Sequence, residues 1–301
     1  NYCSTSAKLF SDDYLSMLET IELLMLRDFK DTSFIAFKNG IVEVDQHNVK
    51  LRDYIDIEGY IWKKQIINRE FCFSECTEND YKTFIEKVSG GTALPIECII
   101  GYFLSTYKNK MNNKAIILND EVISENPEGG TGKGLFIQGI SQIRRVAILD
   151  GKTFDFNKSF AYQTVSTDCQ VLFYDDVKRN FEFERLFSQI TEGITIEYKN
   201  QGAVKLPVQD SPKLVISTNY TVQTEGGSFE RRVFEVEFSS FFNSTNTPLD
   251  FFGSMLFEDC NINWLDTAIK AANLLGEKVT LPKAGLFSVA VPFSVFQPAE
   301  G

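Results

Sequence analysis

Over residues 12–29, Leu15, Leu18, Ile21, Leu24 and Leu26 recur at helical spacing, which predicts an amphipathic helix. The period then changes. Residues 33–37 read as a strand, Lys38-Asn39-Gly40 as a hairpin-type turn, and residues 41–44 as a second strand. Residues 80–87 and 96–110 are predicted helical, and 114–118 is a short apolar run that fits a buried strand.

From there the chain changes style. Strand-like apolar runs cover 146–149, 170–174 and 213–217, with helical segments at 134–145, before the first, and 181–189, before the last. The last two runs are unbroken and end in polar residues. Parallel strands buried on both faces have this pattern, with function at their carboxyl ends. The expected organisation is a mixed α+β domain over 1–111, an α/β core with a parallel sheet flanked by helices over 112–240, and a short helical C-terminal region over 241–301. That last region holds one helix near 264–275 and a Pro-punctuated tail.

Composition narrows the function classes. In 301 residues, 43% hydrophobic with 27 Phe, there is material for a real core, and the length fits about two domains. No apolar run is long enough for a transmembrane helix, so no membrane is expected. The chain begins Asn1-Tyr2-Cys3 without Met, which points to an excised domain or processed product; its start does not read as a signal peptide. The net charge of −11 argues against broad coating of duplex DNA, because phosphate neutralisation dominates that binding. A small basic loop reaching into a channel is compatible with it. Six scattered Cys predict free thiols in a reducing, cytoplasmic setting, and the single His47 excludes a His-based metal site or a conventional triad.

The strongest local signal is Glu128-Gly129-Gly130-Thr131-Gly132-Lys133-Gly134. A phosphate-binding loop needs glycines so that backbone N–H groups converge on oxygens, and a Lys at the mouth of the next helix. Gly129, Gly130, Thr131, Gly132, Lys133 and Gly134 are therefore the candidate nucleotide-binding residues. Pro127 stands where the first Gly of the usual motif belongs, and Gly134 where its Mg²⁺-binding hydroxyl belongs. Either water or another hydroxyl, such as Thr131, completes the metal shell, or ATP binds and turns over poorly.

Forty residues on, Asp175-Asp176 closes the apolar run 171–174. One carboxylate can serve Mg²⁺ while the other polarises the attacking water. Alone the pair is equally an ordinary turn; beside the loop the site reading is favoured over the turn. Asn219 ends the third run and can orient that water or touch a γ-phosphate, although Asn is equally at home in a turn. Arg231-Arg232 precede another apolar run. One of them can act as a finger on a neighbouring subunit's phosphate, or pair with Glu230 or Glu235. Between these motifs, 194–207 alternates like two strands around Asn200-Gln201-Gly202, with Lys199 and Lys205 near the tip. This basic patch suits the phosphates of a single strand, although the same residues also fit an ordinary solvated hairpin.

The order of Gly-Lys loop, Asp-Asp strand end, basic hairpin, Asn strand end and Arg pair resembles superfamily 3 helicases, in particular poxvirus-type and phage primase-helicases. The stretches 211–220 and 230–232 look most like the phage and plasmid branch. More weakly, 37–42 and 97–102 resemble segments that precede such cores. The resemblance implies an AAA+-like P-loop ATPase fold using ATP and Mg²⁺, with Lys133 on the phosphates and Asp175 and Asp176 serving metal and water. It further implies Asn219 as γ-phosphate sensor, Arg231 or Arg232 as finger, and Lys199 and Lys205 facing a channel. A homo-oligomeric, usually hexameric, ring would translocate on single-stranded DNA. No primase constellation is present, so priming would come from a primase or polymerase on another chain or from a missing N-terminal region. Two rival expectations are a non-hydrolysing nucleotide-binding assembly module, motivated by Gly134, and a small-molecule kinase. Against the kinase, Leu135 stands where a hydroxyl residue is usual.

Overall fold

A computed structural model describes residues 14, 16–19, 22–45, 48–72, 80–108, 113–122, 129–220 and 227–257. Its centre is a parallel sheet of five strands: β4 (Ala115–Asp120), β5 (Val146–Asp150), β6 (Val171–Val177), β9 (Lys213–Thr218) and β10 (Val233–Phe238). Their spatial order is β10-β4-β9-β6-β5. All four pairings are parallel, so every strand delivers its carboxyl end to the same edge. A smaller antiparallel sheet, β1 (Thr32–Phe37), β2 (Gly40–Asp45) and β3 (Val49–Arg52), precedes it. The hairpin β7 (Ile194–Ile196) and β8 (Val204–Leu206) stands between β6 and β9.

The helices are α1 (Asp80–Val88), α2 (Leu94–Leu104), α3 (Lys133–Ser141), α4 (Leu186–Glu192), α5 (Gly227–Arg232) and α6 (Pro248–Phe252). Strand alternation divides the core by face. Ile116, Leu118, Phe173 and Val215 pack with Phe84, Phe103 and Phe136, whereas Ala115, Ile117, Leu172 and Ile216 pack with Leu186, Ile190 and Ile194. The first cluster also takes in Ile35, Phe37 and Val42 of the small sheet. The architecture is α/β: a parallel sheet with helices, and the glycine-rich loop lies between its first strand and α3.

The helix expected over 181–189 is a 3₁₀ turn at Phe183–Arg185 followed by α4 to Glu192, and three further helices depart more from expectation. Of the helix anticipated over 12–29, Tyr14 is helical, but residues 16–18 form a turn and bend, and 22–29 form no helix, with Met25 bridged to Tyr60. Tyr60 takes over that backbone: its N–H donates to Leu24 O and its carbonyl accepts from Leu26 N, both at 2.8 Å. Leu18 and Leu24 are more than half exposed, so the helical spacing does not mark a buried stripe. Residues 12, 13, 15, 20 and 21 lie outside the described residues, as do the helix expected near 264–275 and His47. The helix expected to reach residue 110 ends at Leu104. Ser105 turns extended, and Thr106 N–H donates to Asp28 Oδ2 at 2.6 Å. The helix expected to reach residue 145 ends at Ser141, where the last turn closes on Gln142.

A buried polar cluster joins the small sheet to the core. Arg144 donates to Phe34 O at 2.9 Å and to Leu104 O, and pairs with Asp28 at 3.2 Å. Lys213 donates to Tyr102 O at 2.6 Å with its ammonium 3.8 Å from that ring's centroid. Lys108 donates to Ser211 O. Burial opposes all three cations and lowers the Lys108 pKa to about 8, with Asp210 and Asp28 resisting. An unfolded lysine titrates near 10.5, so between about 8 and 10.5 the unfolded chain binds more protons. The cost of burying charged Lys108 is thus fully present below pH 8 and is relieved as pH rises through that window. In denaturant melts, the stability of Lys108→Met relative to wild type should be highest below pH 8. It should decline by up to about 1.4 kcal/mol per pH unit toward 10.5. A pH-independent difference would refute the assignment.

Candidate functional site

The loop before α3 is shaped by backbone that only glycine adopts easily. Gly129, Gly130 and Gly132 have φ of +69°, +84° and +99°. At Gly132 a Cβ would also stand 2.8 Å from Phe84 Cε2 and 3.0 Å from its Cζ. Phe84 is fully buried, so the ring has little room to retreat. Gly132→Ala should therefore lose roughly 2 kcal/mol of stability from overpacking alone, read as a lowered denaturation midpoint. An unchanged midpoint would show that the loop is not held against α1. Pro127 and Glu128 lie outside the described residues.

Lys133 opens α3 and points back at the sheet edge. Its ammonium pairs with Asp120, at the end of β4, and donates to Asn219 Oδ1 at 2.8 Å, just beyond β9. Thr131 Oγ1, 3.3 Å from the ammonium, donates to the same Asp120 oxygen. Burial pushes the Lys133 pKa down, opposed by the Asp120 hydrogen bond and by the charges of Asp120, Asp176 and Asp175. The amide of Asn219 passes the chain on, its Nδ2 donating to Asp176 Oδ1 at 3.2 Å. Residues from the ends of β4, β6 and β9 and from the start of α3 thus meet at one place.

The acidic pair sits on a β-bulge. Tyr174 pairs with Ile216 and Val177 with Thr218, so Asp175 and Asp176 together face Ser217. Asp176 has φ of +55°, an uncommon conformation for a residue with a Cβ. Ser217 Oγ accepts from Asp176 N–H at 2.7 Å and donates to Asp175 Oδ1 at 2.9 Å, tying both residues of the bulge. Lys152, two residues past β5, pairs with Asp176 Oδ2 at 2.5 Å, and this contact holds its pKa above the ordinary value.

Asp120, Ser217 and Lys152 were not singled out from sequence. Each lies within two residues of the carboxyl end of a core strand. A polar residue at that position was the available signal, already applied to Asp175, Asp176 and Asn219.

The remaining candidates make other contacts. Arg231 is exposed and its Nε bonds Gly227 O at 2.9 Å, within its own short helix. Arg232 is half-buried with its guanidinium 5.2 Å from the Phe187 ring centroid. Lys114 fixes this corner by donating to Glu230 O at 2.8 Å and Val233 O at 3.2 Å. In the hairpin, Ile194 and Ile196 point inward opposite Leu206 and Val204. Lys199, in the connecting loop, and Lys205, opposite Thr195, are exposed. Gly134 is exposed, and a Cβ there would meet nothing within 4 Å.

The donor set fits a polyphosphate and a hard cation. Gly129, Gly130 and Gly132, all at positive φ, add no side chains of their own to the loop, and the Lys133 ammonium faces a place already held by an anion. Among the described residues no three His, Cys, Asp or Glu side chains could hold a metal unaided. Mg²⁺ characteristically needs only one or two carboxylates plus phosphate oxygens, which Asp175 and Asp176 could supply in part. Among the described residues no helix is long and apolar enough to cross a membrane.

No known family model matches the chain, and no curated protein matches it. Solved structures are similar to it at low identity. One is the C-terminal region of NrS-1: 15% identity, 69% of this chain and 46% of that chain covered, TM-score 0.43. Another is JCV helicase: 13% identity, 53% of this chain and 51% of that chain, TM-score 0.34. The chain spans about half the length of these structures.

Proposed function

We propose that the chain is the ATP-hydrolysing motor of a replicative DNA helicase of superfamily 3 type, from a phage or similar mobile element. The observation that carries this reading is the linkage Lys133–Asn219–Asp176 across the carboxyl edge of the parallel sheet. Lys133 and the backbone of Gly129 to Gly134 hold the triphosphate. Asp175 and Asp176 hold Mg²⁺, which when bound neutralises developing phosphate charge. Asp176 also accepts a proton from, or orients, the lytic water, and Asn219 fixes its carboxylate while sensing the γ-phosphate. Arg231 is the better placed of the two arginines to serve a neighbouring subunit, because it is exposed while Arg232 lies over Phe187.

In this reading six subunits form a ring, each offering Lys199 and Lys205 to single-stranded DNA in a central channel. The ring works in the host cytoplasm, with a primase or polymerase supplied by another chain or a preceding segment. ATP turnover by the assembled protein should rise when single-stranded DNA is added. Absence of stimulation in an assembled ring would defeat the motor reading.

One observation favours a second reading. Gly134 has space for a hydroxyl side chain yet carries none, which suits a module that keeps nucleotide as a structural ligand for assembly. Nucleotide-dependent oligomerisation without phosphate release would select it; sustained phosphate release would eliminate it.

A further inference from the structure

A cleft of about 530 Å³ shares no residue with the Lys133 cluster. Three separate segments build it. Trp62, Lys63 and Lys64 come from the N-terminal part of the chain, Thr164 and Ser166 from the loop between β5 and β6, and Tyr198 from the hairpin that carries Lys199 and Lys205. Hydrogen bonds tie these walls together. Gln65 Nε2 donates to Asp168 O at 3.1 Å, and Tyr198 Oη donates to Val165 O at 2.8 Å. The opening is therefore held by the fold.

The lining is unusual for a chain of net charge −11. Trp62 is 49% exposed, and the Lys63 and Lys64 side chains beside it are exposed. The acidic residue of the cleft, Asp168, is buried and faces Arg145 Nε at 3.5 Å, so its charge is answered within the protein. An exposed aromatic face, Trp62, and the half-buried Tyr198, together with ammonium groups and hydroxyls, are what an unstacked base with its phosphate requires. A duplex, whose bases are already stacked, gains little from such a cleft.

We infer that this cleft holds a base and adjoining phosphate of single-stranded DNA, with Trp62 and Tyr198 as stacking faces and Lys63 and Lys64 on the backbone. The inference rests on the single-strand reading of the hairpin and extends it. Tyr198 adjoins Lys199 in sequence, so one strand can run from the hairpin loop into the cleft.

Binding of a fluorescein-labelled oligothymidylate to the full chain, at several salt concentrations, tests this. Trp62→Ala should weaken binding about 10-fold, and Trp62→Phe should restore most of it, because a ring is retained. The Lys63→Ala, Lys64→Ala double variant should weaken binding and flatten its salt dependence by roughly one unit of log–log slope. In a Trp264→Phe background, Trp62 is the sole tryptophan, and its fluorescence should be quenched by the oligonucleotide. If Trp62→Ala binds like wild type without quenching in that background, while Lys199→Ala, Lys205→Ala loses binding, the cleft assignment is overturned and the hairpin reading stands. If the wild-type chain binds no oligonucleotide, both fall.

Discussion

Lys133→Ala should reduce ATP turnover by roughly 10²- to 10³-fold, the loss typical when one preorganised charge is removed from a transition state. The variant also has a structural effect. The ion pair of Lys133 with Asp120 is nearly buried, with side-chain exposures of 11% and 9%. Removing one partner leaves a carboxylate with Thr131 as its remaining hydrogen-bond donor among those described, and breaking such pairs costs about 3–5 kcal/mol. Thermal melting must therefore accompany the turnover assay. The Lys133→Ala, Asp120→Asn double variant should recover much of the melting temperature without recovering turnover. Recovered turnover would show that Lys133 acts only through Asp120; retained turnover in the single variant would remove the lysine from the chemistry.

Arg231→Ala should lower turnover by roughly 10³-fold or more in the assembled oligomer, the range observed for arginine fingers. Nucleotide binding and melting should hardly change, because Arg231 is exposed and bonds only within its own helix among the contacts described. Arg232→Ala should behave oppositely. It loses packing over Phe187, costs about 1 kcal/mol of stability and spares most of the turnover. A mixing experiment isolates the action across subunits. Neither Lys133→Ala nor Arg231→Ala protein should turn over alone, but mixed rings place an intact arginine against an intact loop at some interfaces. Restored activity in the mixture is the expected outcome. Wild-type turnover by Arg231→Ala alone would remove the finger from the mechanism.

The core strands were legible because burial on both faces leaves unbroken apolar runs, as at 171–174 and 213–217. The hairpin over 194–207 was legible because its Asn-Gln-Gly turn separates two alternating segments. Lys133, Asp176 and Asn219 were read from their places at strand and helix ends, and the structure brings those three together. Other features depend on partners distant in sequence. Asp120 became visible only when β4 and α3 brought it to Lys133. The bulge at Asp175-Asp176 depends on Ser217, 41 residues from Asp176, whose hydroxyl holds both residues. The leucine periodicity before residue 30 misled because Tyr60, not a helical turn, satisfies the backbone at Leu24 and Leu26.

In the proposed motor reading, the Asp120 contact makes nucleotide arrival an exchange. A γ-phosphate that takes Lys133 evicts a carboxylate rather than filling bare space, and only the difference between two anions remains as affinity. The evicted group ends a strand that lies in register with Phe238 of β10, the strand led in by Arg231 and Arg232. Asp120 thereby ties the Lys133 site to the strand that follows Arg231 and Arg232 directly in the chain.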